Sequence, residues 1–161
     1  MTGWTVSTRR APAAELHALD LPAGGRHVWI LEATRPALVL GSTQPDSDAD
    51  VATCASAGVD VARRRSGGGA VLVGPGECVW VDVLVPRGDP LWHDDVGRAT
   101  WWLGDAWVAA LSAVGVEGCR VHRRGMVPSP WSKVVCFAGL GPGEVVDPAG
   151  SKVVGISQRR T

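Results

Sequence analysis

Apolar and polar residues alternate most clearly between Val79 and Val85, where every second position is a valine. The positions between the valines include Trp80 and Asp82, so the two faces of this segment differ in polarity. A period of two residues is typical of a half-buried β-strand. We therefore predict a strand that ends at Pro86, because proline cannot donate a hydrogen bond to a sheet.

Other short apolar runs, bounded by glycine, proline or aspartate, predict further strands. They cover residues 28–31, 37–41, 59–62, 70–73, 116–122, 144–146 and 152–156. The first two runs are separated by Thr34-Arg35-Pro36 and are typical of a strand pair joined by a turn. The last two flank Asp147-Pro148-Ala149-Gly150-Ser151, which predicts a β-hairpin.

Two segments carry helix signals, and a glycine follows each of them. A short helix is predicted over 48–57, with Asp46 or Ser47 as its cap. A longer helix is predicted from about 96 to 114, and it is opened by the acidic pair at 94–95. Its apolar stripe is expected to face the core. The stripe consists of Leu103, Trp107, Leu111 and Val114.

This order of elements indicates an α+β fold, because strands follow one another through short turns with few helices between them. We expect a mixed, mostly antiparallel sheet with helices on one side. The chain has 161 residues, which is the size of a single domain with a core of its own.

The composition of the chain argues against several classes of function. The chain is 45% hydrophobic and 20% charged with a formal net charge of zero, so it has no overall basic charge that would favour nucleic acid or a membrane surface. No apolar run is long enough to span a bilayer and no signal peptide is recognisable, so we expect a cytoplasmic protein. The four cysteines form no C-x-x-C pair and no histidine lies at zinc spacing, which argues against a structural metal site.

Candidate chemistry is concentrated at Arg63–Val71, where three arginines are followed by Ser66, three glycines and an apolar run. Predicted strands on both sides place this stretch in a tight connection between two sheet elements. Glycine lets backbone N–H groups approach a ligand, and arginine offers paired donors to phosphate or carboxylate. The stretch therefore predicts an anion-binding loop. It is neither a P-loop nor a dinucleotide fingerprint, because both spacings are missing.

The same loop, together with Lys152-Val153-Val154-Gly155-Ile156-Ser157-Gln158-Arg159, resembles the lipoate-protein ligase and octanoyltransferase superfamily, whose relatives include biotin-protein ligases. Leu40-Gly41-Ser42-Thr43-Gln44 is similar to the L-G-x-x-Q of these enzymes, and the likeness covers nearly the whole chain. The resemblance implies a class II synthetase or biotinyl-lipoyl ligase-like fold. Family domains continue past the lysine strand, so residues 1–161 are expected to form one catalytic domain that is incomplete, or truncated, at its C-terminus.

The resemblance also implies a reaction and its substrates. An enzyme of this kind attaches a lipoyl or octanoyl group to a lysine of a lipoyl carrier domain, through an acyl-adenylate made from lipoate or octanoate with ATP and Mg²⁺. The implied partners are the E2 subunits of 2-oxoacid dehydrogenases and the glycine cleavage H protein. We expect no nucleic acid partner and no membrane partner.

The same resemblance implies roles for individual residues. Arg64 matches the arginine that holds the acyl-adenylate, and Lys152 matches the essential lysine, whose ammonium would stabilise charge developing beside an acyl phosphate. Glu144 falls near an acidic position of the ligases, which implies a role in placing Mg-ATP, whereas the plain reading of Glu144 is an exposed glutamate of the hairpin. The other residues expected to line the site are Ser66, Gly67, Gly68, Gly69, Ala70 and Gly155.

Two alternatives remain open. Val135-Cys136-Phe137 resembles the segment that holds the nucleophilic cysteine in one class of octanoyltransferases, where a thiolate takes the octanoyl group from an acyl carrier protein without ATP. An ammonium such as that of Lys152 would favour this thiolate, whereas the plain reading of Cys136 is a buried apolar residue. The other alternative is an inactive truncated fragment that binds a small anion or a partner protein.

Overall fold

The computed structural model describes residues 3–161, and the chain divides into two compact units. The N-terminal unit runs to Asp89 and includes Arg159–Thr161, and the C-terminal unit is Pro90–Gln158. The prediction of an α+β fold is confirmed, because small sheets of mostly antiparallel strands combine with few helices. No helix in this described range is long and apolar enough to cross a membrane.

The strands and α-helices are numbered here in chain order. They are β1 Trp4–Ala11, α1 Ala13–Ala18, β2 Arg26–Ala33, β3 Ala37–Leu40, α2 Val51–Ser56, β4 Asp60–Arg63, β5 Val71–Val73, β6 Trp80–Leu84, α3 Trp101–Ala113, β7 Arg120–Val121, β8 Val145–Val146 and β9 Lys152–Val154. Two 3₁₀ turns, at Asp46–Asp48 and Cys136–Ala138, complete the regular structure.

The N-terminal unit contains two three-stranded mixed sheets. In the first, β2 lies between β1, which is parallel to it, and β6, which is antiparallel. In the second, β3 lies between the parallel strand β4 and the antiparallel strand β5. Small apolar side chains from both sheets and from α1 pack into one buried core, and Trp80 packs against it. That core consists of Ala13, Ala33, Ala37, Val39, Ala62 and Val73.

The predicted pairing of the strands at 28–31 and 37–41 is wrong, although both strands exist. Strand β2 is occupied on one edge by β1 and on the other by β6, so β3 pairs in a different sheet. Neither β1 nor α1 was predicted. Strand β1 has mostly exposed residues and therefore lacks the apolar face on which the prediction of strands relied.

The C-terminal unit contains one antiparallel sheet in the order β7, β8, β9. The predicted hairpin is confirmed, because β8 and β9 pair across Asp147–Ser151. Its register shifts between Val145 and Val146, and both valines are buried. The strand predicted over 116–122 is reduced to the two residues of β7.

Helix α3 is shorter than predicted. It begins after Thr100, because residues 96–100 form turns that follow Asp95, whose carboxylate accepts from the backbone N–H of Arg98. Backbone hydrogen bonding to Arg98 also lowers the pKa of Asp95. Val114 was expected in the core but is 76% exposed, since the helix has already ended there. The short helix is confirmed as α2, but its cap is Asp50, which accepts from Thr53 N–H.

Candidate functional site

The glycine-rich stretch connects β4 to β5, as predicted. These two strands lie on either side of β3, so the connection passes over the end of β3, where Gly41 follows the strand. The backbone N–H of Ser42 donates to the carbonyl of Ser66 at 2.9 Å, which joins the loop to the chain that leaves β3. The loop is therefore fixed to the sheet at both ends and along its length.

Arg64 is the organising residue of this loop and is only 7% exposed. Its Nη2 donates to the carbonyls of Gly67 at 2.9 Å and of Gly69 at 2.7 Å, and its Nε donates to Gly67 at 3.3 Å. A longer contact of 3.4 Å joins Nη1 to the carbonyl of Val39 in β3. A planar guanidinium with several fixed donors suits this task, because it holds two carbonyls of one loop at once.

The carbonyls that Arg64 holds determine where neighbouring N–H groups point. A trans peptide places its C=O and N–H on opposite sides, and no cis peptide occurs in the described residues. With the Gly67 oxygen facing Arg64, the N–H of Gly68 points away from the guanidinium. Gly67 and Gly68 are both exposed. The loop can thus present a backbone donor outward, which is how glycine-rich turns bind anions.

The backbones of Gly41 and Gly68 lie close together. A Cβ atom added to Gly41 would overlap the carbonyl oxygen of Gly68, and Gly68 itself has φ of +99°, a conformation that favours glycine. With the Gly68 oxygen facing Gly41, the N–H of Gly69 points away from the sheet. The side chain of Gln44 closes the turn, because its Oε1 accepts from Gly41 N–H at 2.8 Å. The L-G-x-x-Q segment therefore contacts the loop at the end of β3 and fixes its position.

The two neighbouring arginines also donate to backbone carbonyls. Arg63 donates to the carbonyls of Gly41 at 2.6 Å and Gln44 at 2.8 Å, and Arg65 donates to those of Ala18 and Leu19 at the C-terminal end of α1. All three arginines are thus part of the framework around the loop. The prediction that Arg64 holds an acyl-adenylate stays a prediction.

His17 of α1 was not among the predicted site residues. Its ring lies 4.5 Å from the ring of Trp80 in β6. Burial lowers the pKa of His17 to about 4, and the charges of Arg64 and Arg65 act in the same direction. The imidazole beside the loop is therefore neutral near pH 7. A lone histidine in a short helix carries no motif, and only the fold reveals its position.

In the C-terminal unit, Lys152 is held by three acceptors. Its Nζ donates to the Cys136 carbonyl at 2.8 Å, to the Gly139 carbonyl at 3.1 Å and to Glu144 Oε1 at 2.9 Å. The side chains of Lys152 and Glu144 are each 6% exposed. An ammonium has three N–H donors, so all of them are used within the chain. Lys152 is a buried and fixed cation, although lysine is usually solvated.

Glu144 connects three parts of the C-terminal unit. Besides the Lys152 ammonium, its Oε1 accepts from the N–H of Ile156 at 3.0 Å, and its Oε2 accepts from the N–H of Gly141 at 2.7 Å. The residue as a whole is 4% exposed. The carboxylate therefore fixes the turn before β8 and the segment after β9 to the same ammonium.

Phe137 and Gly155 enclose the Lys152 side chain. The Lys152 Nζ lies 4.9 Å from the centroid of the Phe137 ring, a cation–π distance. A Cβ on Gly155 would stand 3.2 Å from Lys152 Cε and 3.3 Å from the Phe137 ring, so a side chain there would crowd both. Gly155 was predicted to line the site, and it lies against the lysine.

Cys136 begins the 3₁₀ turn that faces Lys152. It is half-buried and forms no disulfide. Its backbone carbonyl accepts from the Lys152 ammonium. The predicted role of its thiol stays a prediction.

The predicted site residues thus form one group in each unit. Arg64, Ser66, Gly67–Gly69 and Ala70 share the loop of the N-terminal unit, and Cys136, Glu144, Lys152 and Gly155 surround one ammonium in the C-terminal unit. Within residues 3–161, no group of three or more histidine, cysteine, aspartate or glutamate side chains could hold a metal ion.

Comparisons with known proteins gave a family match and two similar solved structures. The family model of the lipoyl protein ligase A/B catalytic domain matches residues 15–161. Two solved structures are similar over the entire chain, and both are of protein Ta0514 from T. acidophilum, described as a "putative lipoate protein ligase". The first structure has a TM-score of 0.73 and a sequence identity of 16%. The second, which contains bound lipoic acid, has a TM-score of 0.71 and a sequence identity of 15%. The chain spans 64% of the length of these structures. No curated protein matches it in sequence.

Proposed function

This chain belongs to the lipoyl protein ligase A/B catalytic domain family, and from that premise we propose that it attaches a lipoyl or octanoyl group to a lysine of a lipoyl carrier domain through an acyl-adenylate. The substrates are lipoate or octanoate, Mg-ATP and the apo carrier domain. The acceptors are the E2 subunits of 2-oxoacid dehydrogenases and the glycine cleavage H protein. The bound lipoic acid described for the T. acidophilum structure supports this substrate class.

The observation that carries the proposal is the buried ammonium of Lys152, fixed by two carbonyls and Glu144 at 2.8–3.1 Å. A cation that is held in a desolvated position interacts strongly with negative charge that develops near it, which makes it effective beside an acyl phosphate. A structural lysine has little reason to be buried, because an apolar residue fills the same space without a desolvation penalty.

The glycine-rich loop supplies the anion-binding part. Arg64 holds the carbonyls of Gly67 and Gly69 inward, so the N–H of Gly68 is presented on the opposite side. We assign the phosphate of the acyl-adenylate to this exposed backbone. In this assignment Arg64 acts through the loop that it organises.

The proposed reaction has two steps. A carboxylate oxygen of lipoate or octanoate attacks the α-phosphorus of ATP, forming a P–O bond and releasing pyrophosphate. The ε-amine of the carrier lysine then attacks the acyl carbon, forming an amide and releasing AMP, while the amine loses a proton to solvent. Lys152 stabilises the oxyanion in the second step, and the loop holds the phosphate in both.

A second candidate is octanoyl transfer from an acyl carrier protein, with the Cys136 thiolate as nucleophile. The specific observation in its favour is that the turn carrying Cys136 contacts the Lys152 ammonium. In this reaction the thiolate displaces the carrier thiol to form an enzyme thioester, and the carrier-domain lysine then displaces Cys136. This route needs no ATP.

The two routes separate in one pair of assays. The protein is incubated with octanoate, Mg-ATP and an apo carrier domain, and in parallel with octanoyl-acyl carrier protein without ATP, and carrier modification is measured by mass spectrometry. Modification that requires ATP and survives Cys136→Ser supports the ligase. Modification from the thioester that Cys136→Ser abolishes supports the transferase, with Cys119→Ser as the control.

If a folded sample modifies the carrier in neither assay, the result would favour a protein that binds a small anion or a partner without catalysing a reaction. Lys152→Ala should lower either activity by roughly 10²–10³-fold, the usual effect of losing one group that stabilises an oxyanion. Lys133, the other lysine of the chain, is exposed, and Lys133→Ala provides the matched control.

A further inference from the structure

Glu144 has contacts that its predicted role in placing Mg-ATP does not explain. Both of its carboxylate oxygens accept hydrogen bonds from the chain, one from Gly141 N–H and the other from Lys152 and Ile156 N–H. The residue is 4% exposed. A carboxylate that binds Mg²⁺ needs an oxygen open to the ion and its water shell, because Mg²⁺ keeps several waters. These contacts favour a partner inside the chain.

That partner is the Lys152 ammonium. Removal of two charges from water is costly unless they face each other and their remaining hydrogen bonds are satisfied. The pair meets this condition, since the Lys152 donors go to Glu144 and two carbonyls while Glu144 accepts from two further N–H groups. Glu144 therefore fixes the position of Lys152. The two remaining donors of the ammonium are satisfied by carbonyls, so no second carboxylate is needed to hold it.

We infer that Glu144 is a positioning residue that acts through Lys152. It holds the ammonium against the 136–139 turn, and through Gly141 and Ile156 it fixes the turn before β8 and the segment after β9 at constant distance from that ammonium. It need not touch substrate, ATP or metal. The kinetic part of this inference depends on the proposed function, whereas the structural part does not.

The structural part has a test that needs no activity. The chain contains two lysines, so brief labelling with an amine-reactive acetyl ester followed by mass spectrometry measures Lys152 against Lys133 in the same molecule. In the wild type we expect Lys152 to react at least tenfold more slowly than exposed Lys133. Glu144→Gln should raise the ratio of Lys152 to Lys133 labelling at least tenfold, and Glu144→Asp should give an intermediate value.

Two controls make the labelling decisive. Glu117→Gln alters an exposed glutamate of the same unit that accepts from Ser112, and it should leave the ratio unchanged. Circular dichroism identifies any variant that does not fold, and the labelling ratio measured in urea gives the value expected for an unfolded chain. If Glu144→Gln does not fold, Glu144→Asp is compared with the wild type in its place. An unchanged ratio in folded Glu144→Gln or Glu144→Asp would overturn the inference.

The kinetic part uses a double variant. We expect Glu144→Gln to lower kcat of carrier modification about 10²-fold, the scale of a misplaced catalytic group, with KM for ATP changed less than threefold. Lys152→Ala with Glu144→Gln should be as slow as Lys152→Ala alone, because a residue that acts through Lys152 has no role once the lysine is gone. A glutamate that holds Mg-ATP would instead raise KM for ATP and slow the double variant further.

The outcomes distinguish this inference from the proposed function. Absence of carrier modification by the wild type in both assays would contradict the proposed function and leave the labelling result standing. If the wild type modifies the carrier and Glu144→Gln does so with an unchanged kcat, the positioning role alone would be overturned.

Discussion

Gly41 lies directly against the carbonyl of Gly68, and no side chain heavier than hydrogen fits between them. This contact sets the distance between β3 and the glycine-rich loop. It connects the L-G-x-x-Q segment with the loop that we assign to phosphate binding, so the two motifs form one structure.

The first prediction concerns this contact. Gly41→Ala should force the loop outward and lower the free energy of unfolding by ~1–3 kcal/mol, the usual cost of overpacking. Loss of carrier modification should accompany it, because the outward N–H groups move. Urea unfolding and the ligation assay measure both effects.

Gly67→Ala is the matched control for this substitution. An added Cβ there meets nothing within 4 Å, and the φ angle of Gly67 lies outside the positive range. A change within ~0.5 kcal/mol is expected, as for most surface substitutions. Equal destabilisation by both variants would contradict the importance of the Gly41 contact.

The second prediction concerns the buried pair in the C-terminal unit. Lys152→Met leaves Glu144 buried without a counter-ion, which should lower the free energy of unfolding by ~3–5 kcal/mol. Adding Glu144→Gln to Lys152→Met removes the unpaired charge and should restore part of the loss. Lys133→Met, at an exposed position, should change stability by no more than ~0.5 kcal/mol. Equal stability of the single Lys152→Met variant and the wild type would contradict a desolvated pair.

The third prediction concerns Arg64. Arg64→Lys keeps the charge but loses the guanidinium fork, so the carbonyls of Gly67 and Gly69 are no longer held together. We expect a loss of ~1–3 kcal/mol in unfolding free energy, the cost of buried groups left without a partner. Amide hydrogen exchange in the loop should become faster. Arg9→Lys on the exposed strand β1 serves as the control, and slow loop exchange in Arg64→Lys would count against the organising role.

The fourth prediction concerns pH. The pKa of His17 is about 4 in the folded protein and about 6.5 when unfolded, so between these values the unfolded state binds more protons. Folding stability from this group is therefore fully present above pH 6.5 and is lost as the pH falls toward 4. Partial exposure of the ring reduces the size of this effect through solvent screening.

His17→Gln provides the test, because it removes the proton-binding group and keeps a polar side chain. Urea midpoints measured at pH 7.5, 6.0 and 5.0 should fall less steeply for His17→Gln than for the wild type. His93→Gln, at an exposed position, is the control. Parallel pH profiles for His17→Gln and the wild type would show that His17 does not couple protons to folding.

The parts of the fold that could be predicted depend on local chemistry. Asp147–Ser151 contains the turn residues of a hairpin, and β-branched runs on both sides of Arg63–Gly69 identify β4 and β5. The pairing of β2 with β1 and β6 depends on contacts between segments distant in sequence. No local pattern contains that information, and the apolar runs at 28–31 and 37–41 therefore suggested the wrong partner.

The candidate site shows the same difference between what local sequence patterns predict and what only the folded chain reveals. The motifs identified Arg64 and Lys152 by residue type and order, but the guanidinium turned toward its own loop and the lysine turned toward Glu144 are properties of the folded chain. One signal lies in the hairpin itself: Glu144 directly precedes β8, two residues before Val146, which pairs with Lys152 in β9. Side chains at such diagonal positions interact across strands.

The complete use of the Lys152 donors has a thermodynamic consequence for any ligand that reaches this amine. A neutral acyl oxygen that approaches must replace the carbonyl of Cys136 or Gly139, so one carbonyl acceptor is exchanged for another of similar strength. Such an exchange contributes little net affinity. In the proposed reaction, tight association would then depend on apolar contacts made elsewhere by the acyl chain, and the ammonium would affect the reaction rate more than the affinity for the ligand.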